Sequence, residues 1–510
     1  MSLPKVVIIE LGSQYTLLIE RAFRELGTRS VILTPEKARE WFKKNPVQAV
    51  VLSGGAASVY DKDAPQPPEE ILSLKTANGK PVEILGICYG MQWLAHRLGG
   101  EVKAAPKHRE YGKATLRRHG DSSLLALTPE NQTVWASHGD SVVKPPDYFG
   151  VHAHTDSGTI AAMAYGPILG VQFHPEVHHT EYGKTILENF LRIADCEHDW
   201  KPSSLISSIQ ERVLAELGDK KAVIGFSGGV DSTTLSAILA PVLKDRLLAV
   251  TINGGHLRED ELTEIRLHAA SAGVWHLVVD AHRLFERVMK DAVDAEEKRR
   301  RFKEVYAELL TEAAKKLGAS VIIQGTLAPD RIESGATGGA LIKSHHNVGL
   351  DFGDLKQIHP IDHLFKYEVR ALAEELGLPE SVWARQPFPG PGLFIRVVGT
   401  PPTPDKLEIV RWADARVKGI LQTRGLYDGL SQLVVAYVAA NTVGVKGDAR
   451  VYGGAIVVRA VETTDFMTAK GVHFPDDVEE EICSTLTRHP AIIRVWFDPT
   501  QKPPATTELE

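Results

Sequence analysis

The sequence predicts an α/β protein: two three-layer domains, each built on a parallel sheet, followed by a small α+β domain. Short apolar runs at 50–52, 82–85 and 221–224 alternate with amphipathic, helix-like stretches through the first three quarters of the chain. That is the rhythm of parallel strands and the helices that cross between them. From about Phe394 the rhythm changes, with helix-like runs at 405–421 and 476–486 separated by alternating strands such as 455–462. A chain of 510 residues has room for roughly two to four cores of this kind.

Two changes of texture divide it. Residues 195–204 are polar and interrupted by Pro202, and read as a linker. Phe388-Pro389-Gly390-Pro391-Gly392 is a stiff turn that can continue neither a helix nor a central strand. The domains are therefore expected at 1–197, 203–393 and 394–510. The open strands of the last suit pairing with a second copy, which predicts a homodimer through that domain.

Composition is ordinary, with 43% hydrophobic and 24% charged residues and a formal net charge of −7. Mild acidity speaks against a protein whose main business is gripping nucleic acid. The run Glu296-Glu297-Lys298-Arg299-Arg300-Arg301 reads as a solvated helix face. Cys88, Cys196 and Cys483 stand far apart with no C-x-x-C pair, which suggests a reducing compartment. The start, MSLPKVVIIELGSQ, shows no cleavable signal pattern, and no apolar run is long enough to span a bilayer. The expectation is a soluble cytoplasmic protein with no membrane partner.

Chemistry concentrates in three places. In the first domain, Gly86-Ile87-Cys88-Tyr89-Gly90 follows an apolar run and precedes a helix-like one. Glycines two before and two after a nucleophile permit the strained strand-to-helix turn that lifts it out of a sheet. A helix N-terminus would also favour the thiolate. The plainer alternative is a small buried cysteine. Downstream, His174-Pro175-Glu176 can bring an imidazole and a carboxylate to one side of an extended segment, the base and orienter of a nucleophilic triad. His174 with His178 and His179 could instead hold a metal. Ser53-Gly54-Gly55 ends another strand, and the N–H of Gly55 with that of Tyr89 could form an oxyanion hole.

The second place is Gly225-Phe226-Ser227-Gly228-Gly229-Val230-Asp231-Ser232, a glycine-rich turn between a strand and a helix. Such a turn aims backbone N–H groups and the positive helix end at an anion. It lacks the lysine that serves transfer of a terminal phosphoryl group. Attack at the α-phosphorus, with pyrophosphate leaving whole, suits it better. Gly225 and Val230 frame the turn, Ser227, Gly228, Gly229 and Ser232 donate, and Asp231 is placed to hold Mg²⁺.

These motifs resemble known families. Gly86-Ile87-Cys88-Tyr89-Gly90-Met91-Gln92 with His174-Pro175-Glu176, Leu11-Gly12-Ser13-Gln14-Tyr15 and Ser137-His138-Gly139-Asp140 resemble class I glutamine amidotransferases. The resemblance implies glutamine hydrolysis, with Cys88 as nucleophile, His174 shuttling the proton, Glu176 orienting it, and Gln92, Ser137 and His138 binding glutamine. SGGVDS is the motif of the ATP pyrophosphatases. Gln324-Gly325-Thr326, Ile342-Lys343-Ser344-His345-His346-Asn347, the Pro-Gly turn and Lys502-Pro503-Pro504-Ala505-Thr506 together resemble the glutamine-hydrolysing GMP synthetase family across nearly the whole chain.

The implied reaction is XMP + ATP + glutamine + water → GMP + AMP + pyrophosphate + glutamate, through an adenylate on O2 of xanthine. By the same resemblance Lys343 reaches the pyrophosphate from a lid, the alternative being a solvated lysine. XMP contacts fall on Gly392, Arg396, Gln432, Lys502, Thr507 and Glu508, on a tail that would otherwise be expected to fray. Three departures stand out: Glu10-Leu11 for Asp-Phe, Ala56 for a proline, and Ile252-Asn253-Gly254-Gly255-His256-Leu257-Arg258 for Val-Asp-Asn-Gly-Leu-Leu-Arg. The rivals are a glutamine-fed ATP pyrophosphatase with another acceptor and a non-catalytic nucleotide binder.

Overall fold

The computed structural model describes residues 4–104, 110–328, 350–388, 390–463, 469–502 and 504–510. Among these, one compact unit ends at Lys201 and a second begins at Pro202.

The first unit is organised by a nine-stranded sheet. Five strands, Ser30–Leu33, Val6–Ile9, Ala49–Leu52, Glu83–Ile87 and Ile168–Val171, lie side by side in parallel, in register Val6 with Ser30 and Ala49, and Ile84 with Val50 and Ile168. The sheet then continues antiparallel through Ile160–Tyr165, Gly150–Thr155, Glu110–Arg118 and Asn131–His138. It is thus parallel where the apolar runs predict and mixed beyond. The parallel strands are continuously apolar because both faces are covered. Val6, Ile8, Val51 and Leu85 point into a core shared with Ile19, Phe23, Ile186 and Phe190. Val7, Ile9, Val50 and Leu52 point the other way, against Ala38, Met91 and Leu94. Helices Thr16–Glu25 and Gly183–Ile193 therefore form one outer layer, Pro35–Phe42 and Tyr89–Arg97 the other.

Residues 195–201 are tied down rather than free. Glu197 pairs with Lys5 at 2.8 Å, the Leu26 carbonyl lies 2.6 Å from His198 Nδ1, and the Trp200 N–H reaches the Gly27 carbonyl at 2.8 Å.

The second unit opens with helix Pro202–Leu217 and an all-parallel five-stranded sheet in the order Trp275–Asp280, Leu247–Asn253, Ala222–Gly225, Val321–Ile323, Lys356–Ile358. The chain winds outward from Ala222–Gly225 to one edge and returns to fill the other side. The carboxyl end of that strand is therefore the switch point where open α/β sheets place ligands.

Beyond the Pro-Gly turn, helices Pro404–Thr423 and Asp476–Leu486 pack on a sheet dominated by the hairpin Gln432–Lys446 and Ala449–Glu462. Its two-residue connection, Gly447 and Asp448, has φ of +57° and +61°, the mirror-image turn that matches strand twist. A single apolar cluster joins Val223 and Val250 of the parallel sheet to Leu393, Phe394, Val397 and Val410, so the core runs through the turn at 388–392.

The charged run at 296–301 lies in helix Ala295–Lys316, and Glu297, Arg300 and Arg301 pair along its exposed side. Lys298 departs from a solvated face. It is fully buried, donating to the Val397 carbonyl at 2.5 Å and to Glu510 at 3.3 Å. The segment 504–510 is likewise fixed rather than frayed. Arg396 and Gln432 hold Glu508, the Arg459 guanidinium reaches the Thr507 carbonyl at 3.2 Å, and Arg299 and the Gly399 N–H hold Glu510. Among the described residues no helix is long and apolar enough to cross a membrane.

Candidate active sites

Cys88 stands between strand Glu83–Ile87 and helix Tyr89–Arg97 at φ 51° and ψ −106°. A non-glycine residue with positive φ is costly and is kept only when its surroundings impose it. Here they do. The Cys88 N–H donates to the Val171 carbonyl at 2.8 Å, locking the turn to the neighbouring strand. A Cβ on Gly86 would lie 2.6 Å from the Met91 nitrogen, and one on Gly90 would collide with the Leu52 carbonyl. Both flanking glycines are therefore steric requirements of the elbow. Cys88 is buried at the margin of an apolar cluster, as the plainer reading expected, yet its Sγ also lies 3.7 Å from the Ser137 carbonyl and from the Gln172 amide.

His174 and Glu176 come together as expected, with Nδ1 and Oε1 2.7 Å apart, although the chain has by then left strand Ile168–Val171 and turns. The position is set by the His174 N–H on the Trp135 carbonyl at 2.9 Å and by the Thr180 hydroxyl on the His174 carbonyl at 2.6 Å. Tyr15 meets the imidazole edge-on with centroids 5.0 Å apart. Burial alone would push the His174 imidazole down. The Glu176 carboxylate and the hydrogen-bonded Cys88 thiol outweigh it and hold the group well above the usual histidine range. With Nδ1 committed to Glu176, Nε2 is the nitrogen left for the thiol.

In front of Cys88, a Cβ on Gly54 would lie 3.0 Å from His174 Cε1 and 3.6 Å from Cys88 Cβ, so glycine keeps this space open. Gly55 packs against the Leu11 carbonyl, where a side chain would collide. Tyr89 opens its helix, at a position whose N–H has no partner within the helix. The Ser137 carbonyl faces Cys88 Sγ at 3.7 Å. Gln92 donates to the Asp140 carbonyl at 2.7 Å. The His138 side chain turns into a buried polar group, with Nε2 3.0 Å from Glu110. Burial would raise the Glu110 carboxyl; hydrogen bonds from His138, Ser157 and Thr155 outweigh it and leave the group below its usual range.

Sequence reading missed Gln172, whose amide lies 3.7 Å from Cys88 Sγ. Its signal in the sequence is its place two residues before His174. His179 lies tilted against Trp135 with centroids 4.5 Å apart, and among the described residues no group of three or more His, Cys, Asp or Glu could hold a metal.

In the second unit the glycine turn links strand Ala222–Gly225 to helix Val230–Leu243, with Gly229 as its N-cap. Gly225 lies against the Tyr306 hydroxyl, where a side chain has no room. Ser227 Oγ stands 3.3 Å from both Ser232 Oγ and the Gly229 nitrogen. The cation absent from the motif arrives from elsewhere. Lys366, first residue of helix Lys366–Glu375, places Nζ 2.7 Å from Asp231 Oδ2. Among the described residues Asp231 Oδ1 is buried without a hydrogen-bond partner, a carboxylate oxygen open to a cation. One such oxygen beside bound phosphates is the donor set Mg²⁺ takes. Lys343 lies outside the described residues.

At Gly392, φ is 55° and a side chain would collide with the His256 carbonyl, which accepts the Leu393 N–H at 2.8 Å. Arg396, fully buried, bonds Asp414 at 3.0 Å and Glu508 at 3.2 Å, and Gln432 reaches Glu508 at 2.8 Å. Gly392, Arg396, Gln432, Thr507 and Glu508 thus belong to one neighbourhood, while Lys502 bridges to Ala469 through its backbone. In the departing loop, Asn253 accepts the Gly255 N–H at 3.2 Å. His256 packs among Phe285, Phe302 and Phe394, where burial pushes its imidazole down to about 3. It therefore fills an apolar position as a neutral ring.

Comparison with known proteins finds three families along the chain. The family described as glutamine amidotransferase class-I matches residues 7–194, asparagine synthase matches 205–335, and GMP synthase C terminal domain matches 420–509. A glutamine-hydrolysing GMP synthase of Thermus thermophilus is 44% identical over 99% of this chain and 100% of its own. Those of Pyrobaculum aerophilum and Thermobifida fusca are 42% and 41% identical, over 99% of this chain and 99% and 98% of theirs. With identity at this level from end to end, the chain belongs to the glutamine-hydrolysing GMP synthase family.

Proposed function

We propose that the chain makes GMP from XMP, using glutamine as nitrogen donor and ATP as activator. The observation that carries this reading is the presence, on one chain, of a Cys88–His174–Glu176 constellation and a glycine cradle whose cation comes from outside the motif.

Cys88 Sγ attacks the side-chain amide carbon of glutamine, and the oxyanion is met by the N–H groups of Gly55 and Tyr89. His174, kept protonated beside Glu176, gives its proton to the departing nitrogen; ammonia leaves and a thioester remains. Water, deprotonated by His174, then releases glutamate. In the second unit O2 of XMP attacks the α-phosphorus of ATP. The leaving pyrophosphate is taken by the N–H groups of Gly228 and Gly229, by Ser227 and Ser232, and by the Lys366 ammonium. Asp231 would hold Mg²⁺, which supplies charge neutralisation on the phosphates. Ammonia attacks C2 and AMP departs, leaving GMP. Gly392, Arg396, Gln432, Lys502, Thr507 and Glu508 serve XMP, with Arg396 acting through Glu508, which it holds.

We further read the protein as cytoplasmic, in keeping with three free thiols, and as a homodimer through its last domain. Val445, Tyr452 and Trp496, exposed on the hairpin and its neighbour, support that pairing.

Incubation with Mg·ATP, XMP and glutamine is expected to yield GMP and AMP in equal amounts by nucleotide chromatography, neither appearing without XMP. ADP in place of AMP would mean that the cradle handles a terminal phosphoryl group instead. Cys88→Ala should abolish synthesis from glutamine and spare synthesis from added ammonia; loss of both would make the cysteine structural. The raised His174 group binds its proton more tightly in the folded chain than in the unfolded one. Its pairing with Glu176 therefore stabilises fully below about pH 6.5 and fades as pH climbs through the raised value. In calorimetry the stability gap between wild type and Glu176→Gln should shrink as pH rises above about 6.5; a gap that widens contradicts the pairing. Light scattering at micromolar concentration should give twice the chain mass, and a monomer mass rules the dimer out.

A further inference from the structure

We infer that His268 and Arg385 are positioning residues for the attack on ATP: they grip the Gly228 carbonyl from behind the glycine turn and so decide which way the Gly228–Gly229 peptide presents its N–H. The inference rests on reading that turn as the ATP site.

Gly228 has φ +67°, and a Cβ there would lie 2.8 Å from Ile265 Cγ1. Glycine is required, and glycine has little preference of its own about how its peptide is turned. From within the turn the Gly229 N–H has only the long contact to Ser227 Oγ at 3.3 Å, and the shorter bonds on this peptide come from outside. The Gly228 carbonyl lies 2.8 Å from His268 Nδ1 and accepts from Arg385 Nη1 at 3.0 Å. The carbonyl can only accept, so Nδ1 carries the hydrogen. His268 is buried, which pushes its imidazole below the usual range and favours the neutral ring. Nε2 of that tautomer is then an acceptor, satisfied by the Ser381 hydroxyl at 3.1 Å. The carbonyl thus fixes the tautomer, and the Ser381 hydroxyl, able to donate or accept, turns to suit it and holds the ring in place.

Arg385 is held in turn. Glu261 bonds its guanidinium and, with the other oxygen, takes the Arg258 N–H at 2.8 Å. Arg258 lies over the Phe388 ring, 4.2 Å from its centroid. One stretch of chain thus grips the nucleotide turn at Arg385 and meets the His256 carbonyl at Gly392 and Leu393, in the loop read as an XMP contact.

Adenylylation needs xanthine O2 in line with the α-phosphorus, and a flipped Gly228–Gly229 peptide would replace a donor with a carbonyl oxygen facing the phosphates. Loss of the grip should therefore show in turnover more than in affinity.

The test uses the full chain with Mg·ATP, XMP and ammonia, so that Cys88 plays no part, and follows AMP release. His268→Ala should lower kcat by about 10–100-fold with a smaller change in KM for ATP. His268→Asn, whose amide nitrogen stands where Nδ1 stood, should recover most of it. Wild-type kcat and KM in His268→Ala would overturn the inference, as would a His268→Asn variant as impaired as the alanine at unchanged thermal stability. Should His268→Ala not fold, Ser381→Ala decides: a reduced kcat at intact stability supports the grip, and an unchanged kcat overturns it. If wild-type protein itself releases no AMP, it is the reading of the turn as an ATP site that fails.

Discussion

Everything chemical in this chain depends on turning a strand into a helix within a few residues. At the carboxyl end of a parallel strand the backbone N–H groups of the following helix point outward with no partner, and that is where a nucleophile or a phosphate can be met. The first unit makes the turn in one residue, at the cost of a positive φ on Cys88, a strain of about 1–3 kcal/mol. The sheet bears that cost through the Val171 hydrogen bond and through glycines with no space for a side chain. The second unit spreads the same reversal over several residues, and here the strain falls on a glycine that tolerates it. A compact thiol needs one fixed point; a triphosphate needs a row of donors.

Much of this was legible. Glycines flanking a cysteine, a histidine two before a glutamate and a glycine-rich turn after an apolar run are local patterns, and local patterns survive in a sequence. What was not legible arrived through tertiary packing. Lys366 opens a helix with no motif of its own, and His268 and Arg385 reach the cradle from helix Glu261–Ser271 and a loop. Lys298 is a different case, because its signal was present. Ala295, Lys298, Phe302 and Val305 recur at helical spacing on the inward stripe, and a lysine on that stripe was hidden by charged neighbours that do face water. The stiff turn at 388–392 shows the converse: it halts local structure without dividing the core.

Buried Lys298, Arg396 and Arg459 each reach a carboxylate or main-chain oxygen in the segment 498–510, Lys298 while also holding the Val397 carbonyl and Arg396 while also holding Asp414. Such pairs add little net stability, but removing one partner strands the other charge in apolar surroundings, at about 3–5 kcal/mol. They specify a path more than they strengthen a fold, and the path carries Thr507 and Glu508 to Arg396 and Gln432.

Among the described residues, each sheet and each apolar core is closed on its own side of Lys201. Among the described residues no strand pairs across that point. The architecture is therefore modular at the level of the gene: a stop and a new start between Lys201 and Pro202 leave each described sheet and each described apolar core within one polypeptide.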